Sequence, residues 1–289
     1  MLSIIRFMHN SLYKRLYAEQ LCAIIKTLNL NQLKNLFMKK LLILVVTASS
    51  FLFACNKEND GEKIYKSDDV TVFGGKAWSA VTVKDNVPQE LSFVVNDAVL
   101  NTAPAPAEGE TGHNPANDFL IPLPATATAV TPFKWIMLNW NPAGHEPEHV
   151  YTIPHFDIHF YETTPDQVMG YVDNEKLNKE VAAGYVPANH ISGPGVPMMG
   201  KHYIDLASGE LNGQTFTQTF LYGAYDGKVV FYEPMITLDF LKNTSHFDRA
   251  IPQPAKFEKA GYYPTKMKVQ KRNGQTEITL YGFEKRQAS

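Results

Sequence analysis

Residues 216–236 read FTQTFLYGAYDGKVVFYEPMI. Two runs rich in aromatic and β-branched residues, 216–222 and 228–236, flank Asp226-Gly227. Asp-Gly between such runs is a strong hairpin signal, because both central residues of the tight turn need positive φ. The stretch therefore predicts two antiparallel strands. Working outward, residues 266–270 and 277–283 flank Asn273-Gly274 in the same way. Residues 70–73 form a short apolar run closed by Gly74-Gly75, 78–83 alternate, 91–100 are rich in Val and Phe, and 133–140 (FKWIMLNW) read as a buried strand. Helical texture is confined to about 165–183, with a turn near 238–243, and the Pro/Ala/Gly/Glu-rich stretch 102–116 reads as a loop. The fold class expected is mainly β, an antiparallel barrel or sandwich with one or two short helices.

The first quarter of the chain follows different rules. Met38-Lys39-Lys40 is a short basic head, and 41–53 is an almost unbroken apolar run. That run is too short to span a bilayer, which takes ~20 residues, but it suits a signal-peptide core. It ends Leu52-Phe53-Ala54-Cys55, which resembles the bacterial lipobox and implies cleavage before Cys55 and lipid on its sulfur. The competing reading is an ordinary secretory signal with a chance cysteine. Residues 1–37 precede a signal that has its own Met38, so they are expected to be an over-long gene start, the alternative being a genuine cytosolic extension. Residues 38–54 are then the signal peptide, 55–63 an acidic tether, and 64–289 one mostly-β domain with a His-rich region at 130–245. The tether is similar to surface-export signals of Bacteroidetes lipoproteins, which leaves periplasmic and surface exposure both open. The expected location is the cell envelope at the outer membrane, with the membrane as partner through lipid on Cys55.

Setting 1–54 aside changes the charge. The chain holds 27 basic and 29 acidic residues; the seven basic residues and one acidic residue of 1–54 leave 20 and 28, a formal charge of −8 over 235 residues. An acidic domain without a basic stripe is a poor nucleic-acid binder, since phosphate neutralisation supplies most of that affinity. Cys22 and Cys55 are the only cysteines, so the exported part has no disulfide to lean on. Stability must come from the core or from a metal. Homo-oligomerisation is left open.

Six histidines fall between residues 145 and 202. The run Pro154-His155-Phe156-Asp157-Ile158-His159-Phe160-Tyr161 alternates: His155, Asp157, His159 and Tyr161 share one strand face, and Phe156, Ile158 and Phe160 the other. The apolar face must meet the core, so the polar face is wet or lines a cavity. Alternate residues stand roughly 7 Å apart, so Asp157 can share an ion with either neighbour, whereas His155 and His159 together would need a bulge. Further ligands are expected from His202, behind the turn-forming Gly200, and from Glu233, at the end of a buried strand before Pro234. His145, His149 and Tyr161 are additional candidates. His113, His190 and His246 read as surface or satisfied core residues. A mixed N/O set suits a divalent transition metal (Zn, Mn, Fe, Ni or Cu), with copper favoured if Met198, Met199 or Met235 turn sulfur inward. The competing reading is a buried hydrogen-bonded network in which Asp157 and Glu233 pin histidines without an ion.

The blocks PHFDIHFY (154–161), MGKHYID (199–205) and YDGKVVFYEPM (225–235), in this order, resemble a family of uncharacterised exported bacterial proteins classed as a domain of unknown function. The resemblance implies that the blocks form one site and names no activity. A weaker likeness is to cupins, whose ligands sit inside a β-barrel; here Asp157-Ile158-His159 and Pro197-x-x-Gly200-x-His202 depart from both cupin blocks. No Gly-x-Ser-x-Gly, His-Glu-x-x-His or P-loop pattern occurs. Three functions remain in view: a membrane-anchored envelope lipoprotein that binds, stores or senses metal; a metal-dependent enzyme of cupin-like type, with a small-molecule ligand the sequence does not specify; and a structural or assembly lipoprotein without metal. An enzyme needs an open ligand position in a pocket, a store a filled shell, and the third no ion.

Overall fold

The structure, a computed structural model, describes residues 61–289. The leading residues 1–37, the signal segment 38–54, Cys55 and the tether up to residue 60 lie outside the described residues. No helix among the described residues is long and apolar enough to cross a membrane.

Four strands open the fold: β1 (Glu62–Lys66), β2 (Val70–Val72), β3 (Gly75–Lys84) and β4 (Val87–Asn96). β1 thus begins inside the stretch assigned to the tether. The chain then builds a second sheet from β5 (Asp118–Pro122), β6 (Trp135–Asn141), β7 (His155–Tyr161), β8 (His190–Val196), β9 (Gly200–Asp205), β10 (Gln218–Tyr225) and β11 (Lys228–Thr237). It returns to the first sheet with β12 (His246–Ala250), β13 (Gly261–Arg272) and β14 (Gln275–Arg286). The orders are β1-β3-β4-β14-β13-β12, with β2 beside β3, and β5-β6-β7-β11-β10-β9-β8, antiparallel throughout. Neither sheet closes on itself, so the architecture is a sandwich and not a barrel. One core cluster joins them, with Val81, Leu91, Phe93, Ile278 and Leu280 from the first sheet and Ile136, Leu138, Phe156, Ile158, Phe160 and Ile236 from the second.

Both expected hairpin turns form. Asp226 and Gly227 take φ of 52° and 73°, and Asn273 and Gly274 take 53° and 73°, the paired positive values that a tight turn between right-twisted strands requires. Asp85 and Asn86 (φ 50° and 62°) make a third such turn, between β3 and β4. Among the described residues there are five short helices in place of the expected one or two: α1 (Asp97–Thr102), α2 (Ala125–Val130), α3 (Pro165–Met169), α4 (Asn174–Asn178) and α5 (Leu238–Asn243). α1 takes the last four residues of the strand expected across 91–100. The Asn96 side chain accepts from the Val99 N–H and caps a helix where the apolar run alone suggested more strand.

The outer face of the second sheet, turned away from the shared core, is also covered. At one end Trp135, Tyr161 and Phe231 pack with Val168, Tyr171 and Leu177 of the α3–α4 region and with Met199 of the turn between β8 and β9. At the other end Leu221, Met235 and Phe216 pack with Tyr151 and, in part, Ile153 of the 145–153 loop. Between these two apolar patches, along β7 and β11, lie the histidines and carboxylates.

Candidate metal centre

Every residue of β7 is buried, so its polar face is not wet but roofed. Register fixes the neighbours. Asn139 and Asn141 of β6 stand opposite Asp157 and His155, and Met235 of β11 stands opposite Asp157. The β7–β11 ladder is interrupted between Tyr232/Phe160 and Met235/Asp157, where Pro234 has no N–H to donate. Glu233 therefore sits mid-strand, opposite Leu221, not at a strand end as expected.

The side chains divide into two groups that could hold a metal ion: His145, His155 and Asp157; and His159, His202 and Glu233. In each, one ligand atom per residue lies within 4.8 Å of the other two. The five residues expected to share one centre thus fall two and three to a group, with His145 completing the first. The strand spacing that keeps His155 and His159 apart is the reason.

In the first group, His145 Nε2 is 3.3 Å from Asp157 Oδ2 and His155 Nε2 is 3.2 Å from Oδ1. The Nδ1 atoms of both rings lie 2.6 Å from main-chain oxygens, those of Glu146 and Ile153. A carbonyl only accepts, so each Nδ1 carries a proton and each ring turns its Nε2 towards the carboxylate. This backbone support at the far nitrogen is how metal-binding imidazoles are commonly oriented. Asn141 donates to Asp157 Oδ2 at 2.7 Å and holds the carboxylate plane. Burial alone would raise the Asp157 pKa, but the adjacent His155 and His145 rings hold it well below the usual range. Burial likewise opposes charge on His145, and Asp157 outweighs it and lifts the His145 pKa.

In the second group, His159 Nε2 is 3.3 Å from Glu233 Oε1 and His202 Nε2 is 3.4 Å from Oε2. Burial pushes His159 down to about 3 and His202 down to about 4, so both rings are neutral near pH 7. Burial, reinforced by Asp157, raises the Glu233 carboxyl well above its ordinary value. His202 is delivered by β9 after Gly200, whose φ of 136° and close approach to Ala224 O exclude a side chain.

Separations of 3.2–3.4 Å match ligand geometry. The edge of a tetrahedron whose corners stand ~2.0–2.1 Å from its centre is about 3.3–3.4 Å. Among the described residues, fourteen buried side-chain N and O atoms have no hydrogen-bond partner, and seven of them belong to Asn139, Asn141, His155, Asp157, His159 and Glu233. At ~1–3 kcal/mol each, seven such atoms would consume most of a domain's net stability of ~5–15 kcal/mol. A cation in each group would remove that cost for four of the seven, His155 Nε2, Asp157 Oδ1, His159 Nε2 and Glu233 Oε2, and both donor sets fit one.

A cavity of about 240 Å³ opens beside both groups and is lined by His145 and Asp157 of the first and His202 of the second, with His113 as well. His113 was not expected here. Its Nε2 bonds Asp118 Oδ1 at 2.9 Å, and it arrives on a loop whose composition carries no signal for it. Asn141 was also missed, although its register opposite His155 follows once β6 and β7 are paired. Five expected candidates are not in the groups. His149 is 89% exposed beside Glu148. Tyr161 donates its hydroxyl to Met199 O at 3.0 Å and stacks on Trp135, because its end of β7 lies under the α3–α4 cover. Met198 is exposed, while Met199 and Met235 line the cavity. Set against protein-family models, curated proteins and solved structures, the chain matches none of them.

Proposed function

We propose that this chain is an envelope lipoprotein, held to the bacterial outer membrane by lipid on Cys55, whose β-sandwich binds divalent transition-metal ions at two triads. The triads are His145/His155/Asp157 and His159/His202/Glu233. The observation that carries the metal reading is the second triad: two neutral imidazoles and a carboxylate at ligand separations, with His159 and Glu233 buried, His202 at the cavity, and no hydrogen-bond partner for His159 Nε2 or Glu233 Oε2 among the described residues. A hydrogen-bonded network would align those atoms with one another; a cation needs them to point at a shared centre. Two imidazoles and one carboxylate per ion suit Zn or Fe(II) best within the wider N/O-binding set. The anchoring reading rests on the apolar core at 41–53 and the lipobox-like Leu52-Phe53-Ala54-Cys55.

Elemental analysis of the purified protein tests the metal reading. Two equivalents are expected in the wild type, one in His202→Ala and one in His155→Ala. Negligible metal in all three contradicts it. Cys55→Ala tests the anchor: the variant is expected in the soluble envelope fraction, and unchanged membrane association contradicts it.

A second reading, a metal-dependent enzyme, is favoured by one specific observation. Each triad supplies three protein donors, and His145 and Asp157 of the first and His202 of the second line a cavity, which leaves coordination positions open where a store would close them. An ion so placed would act as a Lewis acid on a molecule in the cavity.

A further inference from the structure

The cavity lining combines two kinds of group: His145, His202 and Asp157, whose Oδ1 has no hydrogen-bond partner among the described residues, are polar, while Leu221, Met199 and Met235 are apolar. Its ≈ 240 Å³ exceeds the ~150 Å³ that encloses benzene by about the volume of a small head group. Among the described residues no lysine or arginine lines it. Glu146, the one other acidic residue that does, is exposed at the rim.

Charge decides the head group. Each triad has one carboxylate and two imidazoles, so a dication bound there keeps a net charge of +1 facing a cavity with no other cationic group. A neutral apolar molecule leaves that charge uncompensated in a poorly hydrated space; an anionic one compensates it and fills an open coordination position. We infer that the cavity seats a small monocarboxylate with a compact apolar body, its carboxylate on the triad side and its body against Leu221, Met199 and Met235. This rests on the metal reading above and adds the ligand class.

Co(II) loading gives a readout independent of activity, because the visible bands of Co(II) report changes in its ligands. The probes are benzoate, its neutral analogue benzamide, and acetate, which has the head without the body. Benzoate is expected to shift the bands saturably, at least about tenfold more tightly than acetate, because the ring buries apolar area that acetate lacks. Benzamide is expected to leave them unchanged at the same concentrations. Ile204→Phe and Val196→Phe, each at a partly exposed lining position, are expected to keep Co(II) and weaken benzoate at least tenfold. Failure to take up Co(II) overturns the metal reading and this inference with it. Co(II) uptake without a benzoate response, equal affinity for acetate and benzoate, or cavity-filling variants that bind benzoate normally overturn this inference alone.

Discussion

His159 of β7 and Glu233 of β11 face each other across neighbouring strands at 3.3 Å, with side chains 0% and 1% exposed. Neither would be kept there for the other alone, since burial favours the uncharged form of both. Glu233→Gln preserves the volume and removes the anion. It is expected to lower metal content by one equivalent and to weaken that site by at least about 100-fold, more than the ~10–100-fold effect of an outer-shell partner. Competitive titration with a chromophoric chelator measures it; an unchanged titration speaks against Glu233 as a ligand.

Asn141 predicts a smaller and local effect. It donates to Asp157 Oδ2 at 2.7 Å and touches neither His159 nor Glu233 in its bonding. Asn141→Ala is expected to weaken the first site by ~10–100-fold and leave the second within error. Equal weakening of both sites in the same titration would mean that the two triads do not bind independently.

Gly223 lies opposite both His202 and Phe231, and a Cβ there would stand 1.8 Å from Phe231 Cζ. The Phe231 ring packs edge-on against His159 and His202 at centroid distances of 4.9 and 5.1 Å. Gly223→Ala must displace that ring. A loss of about 1–3 kcal/mol in urea unfolding is expected, together with weaker binding at the second site. Wild-type stability would show that the ring position is not fixed by Gly223.

Much of this arrangement is legible in the sequence. The alternation of 154–161 assigns both faces of β7, and Asp226-Gly227 pairs β10 with β11, which sets Glu233 on its register. What is not legible depends on partners distant in sequence. β8 and β12 carry too little apolar pattern to read as strands, and the apolar run of β5 (DFLIP) is only three residues before Pro122; β8, HISGPGV, is an edge strand with an irregular register between Ser192 and Gly195. That His145 closes over Asp157 depends on Gly144, whose Cβ would stand 2.2 Å from Tyr151 O, a long-range constraint that no local pattern announces. The split into two triads follows from the interstrand register, which the strands do not specify singly.

Glu162 gives a pH prediction outside the triads. Burial pushes its carboxyl up to about 7 from an ordinary 4.5, against the opposing pull of Lys259. Below pH 4.5 the group is protonated in folded and unfolded chains alike, and its burial carries no ionisation cost. Between pH 4.5 and 7 the unfolded chain ionises first and stability falls; above 7 the loss is complete, about 3 kcal/mol. Glu162→Gln is expected to be the more stable protein at pH 8 by up to about that amount and to match the wild type at pH 4. Urea melts at both pH values measure it, and a pH-independent difference would contradict the buried, neutral carboxyl.

The most direct measurement is anomalous diffraction from crystals of the protein loaded with zinc and collected across the zinc edge. Two peaks are predicted, one enclosed by His145, His155 and Asp157 and the other by His159, His202 and Glu233. Density without a peak at either triad, or zinc bound only at surface residues such as His149 or His246, would contradict the central claim.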